Sequence, residues 1–169
     1  GMVSEETLTG SWGVQMQSST KMRIGELLIS QNYISKEQLD KALETQNGTG
    51  KRLGRTLVDL GFMAEARLVE ILSRQYEVPY VKLENFAFDS EAYSYLPEDL
   101  CKQYKIVPLF LQKPDADSGI TRPVLTIAMT DPTNMRIISI VKFKVKMDVD
   151  VVMSPETDVM KAIDIGASR

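Results

Sequence analysis

The feature that most constrains this chain is a pattern that occurs twice. Arg23 to Gln46 reads RIGELLISQNYISKEQLDKALETQ, and Arg52 to Gln75 reads RLGRTLVDLGFMAEARLVEILSRQ: two units of 24 residues around the five-residue spacer NGTGK. Arg, Gly, Leu, Leu, Leu and Gln coincide at unit positions 1, 3, 6, 17, 21 and 24. Ile24/Leu53, Ile29/Val58, Tyr33/Phe62 and Ile34/Met63 are like-for-like. A repeat of this length is one supersecondary element used twice. Within each unit the apolar residues recur at helical spacing, break near Asn32 or Gly61, and resume at 39, 42, 43 or 68, 71, 72. Each unit is therefore predicted to be two short helices joined by a tight turn. Gly61 supplies a left-handed residue after the first helix of its unit, and Asn32 is the next best residue for that conformation. Ser35-Lys-Glu-Gln38 reads as a capping box opening a second helix, whereas Ala64 at the matching position predicts a weaker start.

The rest of the chain has a different character. Residues 1–21 show no clear period and read as a flexible leader, with Gly1-Met2 as a tag remnant and Trp12 able to dock on the body. Beyond Tyr76, Val78-Pro-Tyr-Val81 leads away from the last helix. Residues 90–105 predict helix interrupted at Pro97. Ile106–Leu111 and Pro123–Met129 are short, β-branched apolar runs predicted as strands. Asp131-Pro-Thr-Asn134 caps a helix to about Lys144, Asp148–Met153 is a third strand, and Pro155 to Ala167 a last helix. The fold class is α+β: a four-helix subdomain of two tandem hairpins over 22–80, then a small α/β subdomain over 81–169 with about three strands.

Composition removes several kinds of chemistry. At 169 residues and 43% hydrophobic content the chain can bury a real core. There is no histidine and one cysteine, Cys101, so the usual general base and the usual Cys/His zinc sites are missing. A lone cysteine fits a reducing, cytoplasmic setting, and its amphipathic surroundings suggest packing. A net charge of −3 argues against a DNA-coating surface. No apolar run approaches the ~18 residues of a membrane span, and Met2-Val-Ser-Glu-Glu6 is no start for a secretory signal. The stretch NGTGKRLG resembles a phosphate loop only superficially. A Walker A loop needs G-x-x-x-x-G-K-[ST], whereas Gly50-Lys51 is followed by Arg52 and preceded at the required distance by Thr45. With no motor loop and no paired nucleophile and base, enzymatic activity is not expected in this chain.

Helix packing explains the leucines and the turn residues of the repeat, but not Arg at position 1, Gly at position 3 or Gln at position 24. A glycine in the first turn of a helix costs roughly 1 kcal/mol against alanine, which makes sense where a backbone or a flat ligand comes close. An arginine beside it can fork onto phosphate or a guanine edge, and a helix N-terminus adds unpaired N–H groups suited to anions. Two such entries suit a ligand with two like halves.

On these residues, R-[LI]-G-x-x-L, then Leu-x-x-x-Leu and a closing Gln, given twice, the chain resembles the MshEN domain. That is the N-terminal domain of type II secretion and type IV pilus assembly ATPases of the GspE, MshE and PilB types. The resemblance runs from Met22 to about Ile163 and includes LTIAMTDPTN. It implies a regulatory domain binding one molecule of cyclic di-GMP in both units. Arg23 and Arg52 would meet guanines or phosphates, with Gln46 and Gln75 closing each unit. Ile24, Leu39 and Leu43, with Leu53, Leu68 and Leu72, would carry the bases, and Gly25 and Gly54 would let the backbone approach. Asp131 would reach the ligand from the second subdomain. The implied partners are an ATPase motor domain and an inner-membrane platform protein through which the domain is recruited, without DNA binding or membrane insertion of its own. Three residues depart from the pattern expected of a tight binder: Lys21, Asn32 and Arg55. The competing reading is a protein-docking domain that joins its ATPase to the platform protein with no nucleotide. Lys142, Lys144 and Lys146 read as a solvated face.

Overall fold

The computed structural model describes residues 24–167. Arg23, Lys21 and the leader with Trp12 lie outside them. The chain divides into two compact units, the first ending at Glu65 and the second beginning at Ala66. This division falls inside the second repeat rather than at 80/81.

The first unit holds α1 (24–30), α2 (Lys36–Gln46) and α3 (Leu53–Asp59). The two repeats end their first helices in the same way. Asn32 has φ 62° and Gly61 φ 79°. Tyr33 N–H donates to the Leu28 carbonyl at 2.9 Å and Asn32 N–H to Ile29 at 2.9 Å, as Phe62 N–H does to Leu57 and Gly61 N–H to Val58, both at 3.0 Å. This pair of bonds is the Schellman termination, with an aromatic residue directly after the left-handed position in both repeats. Leu28 and Leu57, both at unit position 6, are fully buried. Asn32 in place of glycine therefore leaves the turn intact.

The capping box forms as the sequence predicts. Ser35 Oγ accepts from Gln38 N–H at 3.1 Å, and Gln38 Oε1 accepts from Ser35 N–H at 2.9 Å. Ser35→Ala should cost about 1 kcal/mol, read as a lowered midpoint in urea denaturation with an unchanged slope.

The second unit opens with α4 (Glu65–Tyr76), of which all but the first residue belongs to it. The helix predicted over 90–105 is broken at Pro97 into α5 (Ser90–Tyr93) and α6 (Glu98–Tyr104), with Pro97 as N-cap of α6. Three strands follow: β1 (Ile106–Gln112), β2 (Val124–Met129) and β3 (Asp148–Met153). Helix α7 (Met135–Val145) links β2 to β3, and α8 (Glu156–Ala167) closes the described chain. The sheet order is β1-β2-β3, with β1 antiparallel and β3 parallel to the central β2. The α+β class and the three strands agree with the sequence reading, and the mixed strand directions are what the structure adds.

The core gathers on β2 and its neighbours, where Val107, Leu109, Leu125, Ile127, Val141, Val159 and Ile163 are fully buried. Cys101 is also fully buried, and burial pushes its thiol pKa up to about 12; it packs as a small hydrophobe. Pro108, which has no N–H to donate, lies on edge strand β1 beside a bulge. The outer side of β1 is met by Asp89, whose N–H donates to the Leu109 carbonyl at 3.2 Å and whose Oδ2 accepts from Leu111 N–H at 3.3 Å.

One segment does more than the sequence suggests. Val78–Val81 does not simply lead away from α4 but joins the sheet: Met153 N–H donates to Pro79 at 2.7 Å and Val81 N–H to Met153 at 2.9 Å. Tyr80 pairs with Met153 as a parallel bridge. The buried Ser154 hydroxyl then donates to the Val81 carbonyl at 2.6 Å.

Candidate functional site

The repeat residues of the first unit sort into those it uses internally and those it displays. Gly25 is buried, and what comes close to it is a side chain of its own unit. A Cβ at this position would lie 3.0 and 3.1 Å from the two methyl carbons of Leu39. Packing of α1 on α2 thus gives the glycine a reason besides the ligand approach that the sequence reading assigned to it. Leu39 and Ile24 are half-buried, Leu53 is buried and Gly54 half-buried.

Gln46 also serves its own unit. It is buried, and its Nε2 donates to the Lys51 carbonyl at 2.9 Å. Thr49 fastens the same spacer, its hydroxyl donating to the Gln46 carbonyl at 2.7 Å and accepting from Lys51 N–H at 3.1 Å. NGTGK is thus a clasped loop with left-handed Gly48 and Gly50, and it delivers Arg52 to the start of α3.

Arg52 is the N-cap of α3, with extended backbone at φ −76° and ψ 154°, and its side chain makes no capping hydrogen bond. It is exposed at a helix N-terminus, where backbone N–H groups and the helix dipole favour anions. Leu43 is 41% exposed on α2, at a repeat position where packing alone predicts burial. Replacing it by alanine should change stability by no more than about 0.5 kcal/mol, because a half-exposed surface side chain contributes little. A thermal melt checks this.

Sequence reasoning missed the charged brace that holds α3. Arg55 contacts Glu65 at 2.7 Å and Asp59 at 3.6 Å, while Lys51 Nζ lies 3.0 Å from Asp59. The hydrogen bond from Lys51, reinforced by the charges of Lys51 and Arg55, holds the Asp59 carboxyl below the usual carboxylate range. Arg55, noted as a departure from the ligand-binding pattern, thus has a structural task. The i, i+4 spacing of Arg55 and Asp59 is the one signal that could have disclosed it.

The remaining repeat residues belong to the second unit. Leu68 is buried, Leu72 half-buried, and Gln75 carries a buried Oε1 that accepts no hydrogen bond among the described residues. A buried polar atom without a partner is costly and points to a missing donor. Asp131 sits in the turn before α7, where its Oδ1 accepts from the N–H and hydroxyl of Thr133 at 3.1 and 2.5 Å. Its clear role is to shape that turn, after which Asn134 caps α7.

The fold of this chain recurs in solved structures of other proteins. The chain matches the N-terminal domain of XpsE with a TM-score of 0.63 at 18% identity, covering 85% of this chain and 92% of that one. It matches a structure of MshE with cdg at TM-score 0.67 and 29% identity, covering 84% of this chain and 96% of that one. Residues 76–164 match the MshEN domain model, and the chain belongs to that family. It is also 32% identical over 142 residues, 84% of its length, to the type IV pilus assembly ATPase PilB of Myxococcus xanthus. The chain spans 24% of that relative's length. The family match begins at Tyr76, after the tandem repeat, whereas the PilB and MshE matches are too long to fit beyond that point and take in much of the repeat as well. Among the described residues no helix is long and apolar enough to cross a membrane.

Proposed function

We propose that this chain is a regulatory N-terminal domain of a type IV pilus or type II secretion ATPase, and that it binds cyclic di-GMP through its tandem repeats. The observation that carries the reading is the doubled Arg-x-Gly entry in a chain 29% identical to MshE, whose structure holds cdg, here read as cyclic di-GMP. Arg52 at an exposed helix start, the exposed Leu43 and the unpartnered Gln75 Oε1 support it. Arg52 pairs with a phosphate or with a guanine O6/N7 edge, and Leu43 offers apolar surface to a base. Gln75 accepts from a base or ribose donor. Gln46 acts at one remove, by holding the spacer that places Arg52. Hydrolysis of ATP belongs to a separate motor domain, and this domain acts in the cytoplasm.

The second reading is a docking domain that joins the motor to an inner-membrane platform protein without nucleotide. What favours it is that two of the repeat residues already meet neighbours of their own unit, Gln46 bonding the Lys51 carbonyl and Gly25 facing the Leu39 methyls. Titration calorimetry with cyclic di-GMP, with GTP and cyclic di-AMP as controls, separates the two. Saturable binding selective for cyclic di-GMP supports the sensor. No heat and no thermal shift at high ligand leaves the docking domain.

A further inference from the structure

Helix α7 carries a surface that neither reading uses. Its inner side, Ile138, Val141 and Val145, is buried in the core of the second unit. On the opposite side Met135, Ser139 and Phe143 follow one another at i, i+4 and i+8, forming a ridge about 12 Å long at a helical rise of ~1.5 Å per residue. Met135 is 63% exposed and Phe143 83%. By the same helical geometry Arg136 lies on one flank of this ridge, Lys142 lies on the other, and Lys144 stands at the margin, while Lys146 follows directly as the left-handed C-cap of the helix; all four are exposed. None of these four cations takes part in an ion pair among the described residues. Between Asp131 and Asp148 there is no acidic residue, although the whole chain carries a net charge of −3.

We propose that this face of α7 is a peripheral contact for an anionic lipid surface, with Phe143 entering the headgroup layer and Arg136, Lys142, Lys144 and Lys146 gathering lipid phosphates around it. Charge complementarity requires an anionic occupant, and the residue types choose a membrane over an acidic protein. Protein interfaces favour arginine and deplete lysine, whereas three of the four cations here are lysines on a convex ridge. Basic helices with exposed aromatic residues lie on anionic bilayers, each cation adding about 1 kcal/mol near the surface. With the inner side of α7 committed to the core, the contact is weak and salt-sensitive, and it tilts the domain toward the membrane without inserting a helix.

The test is flotation of the intact chain with phosphatidylcholine vesicles, pure or containing phosphatidylglycerol in about a three-to-one ratio. The expected result is co-flotation with the anionic vesicles only, abolished by high salt. Lys142→Glu with Lys146→Glu should lower partitioning about tenfold or more. Phe143→Ala should lower it several-fold with little change in salt dependence. Lys82→Glu with Lys161→Glu, an equal change of net charge at exposed sites elsewhere, should float like the parent, and unchanged melts should show that every variant folds. Equal binding to neutral vesicles, no binding to either kind, or equal loss in the Lys82/Lys161 control would each overturn the assignment.

Discussion

Arg52→Ala is expected to weaken cyclic di-GMP binding strongly while leaving the melting temperature close to that of the parent. The side chain is exposed and does not cap its own helix, so an alanine there opens no cavity. Any surface ion pair lost with it is worth about 0–1 kcal/mol. A forked contact from arginine to a guanine edge is worth about 1–3 kcal/mol, a loss of affinity of roughly five- to 150-fold. Calorimetry on the parent and variant gives the ratio, and a thermal melt gives the control. Lys at this position should recover only part of the affinity, because an ammonium is a point donor and cannot fork. If the alanine variant binds as the parent does, Arg52 is not a ligand residue. Gln46→Leu provides a related contrast: it cuts the bond to the Lys51 carbonyl, so it should weaken binding by displacing the spacer and lower stability too.

Much of the fold was legible because each local rule pointed the same way. The doubled unit announced two hairpins, and the termination at Asn32 and Gly61 shows why: one left-handed position per repeat, with an aromatic directly after it, suffices for the Schellman bonds. Pro97, Asn134 and Ser35 marked helix starts through chemistry that needs no tertiary context. The pairing of Tyr80 with Met153 was not legible. It joins residues far apart in the chain, and a single bridge leaves no alternating pattern to read.

The site was legible in its residue types and less so in their tasks. Sequence could show that Gly25 and Gln46 needed a reason beyond helix packing at their own positions, but it could not say whether that reason was a ligand or a neighbour. In Gly25 the neighbour is Leu39, fourteen positions along the same repeat, and in Gln46 it is a backbone carbonyl of the spacer. Carbonyls carry no signature in a sequence. Leu43 shows the converse: a leucine at helical spacing reads as core, and only its exposure in the fold separates it from Leu28 and Leu57. The exposed ridge on α7 escaped for the same reason, since its lysines were read as a solvated face and the exposure of Phe143 among them shows only in the structure.

Ile127→Ala should have the largest effect on stability of any single substitution considered for this domain. Ile127 lies in the middle of central strand β2, paired with Pro108 on one side and Val151 on the other, and it is fully buried within the main apolar cluster. Removing three carbons from such a site costs the lost transfer energy and leaves a cavity, about 2–5 kcal/mol in all. A strand hydrogen-bonded on both edges cannot easily shift to refill that space, which puts the expected loss in the upper part of the range. Val151→Ala on edge strand β3, at a half-buried position paired with the same residue, should cost about 1 kcal/mol, because less surface returns to water and the edge can relax. Urea denaturation followed by far-ultraviolet circular dichroism measures both. A midpoint lowered much further for Ile127→Ala than for Val151→Ala, at similar slopes, places the core on β2. Equal losses would mean that burial at the edge matters as much as burial at the centre. Net stabilities of domains this size are only about 5–15 kcal/mol, so Ile127→Ala alone could remove a large share of the whole.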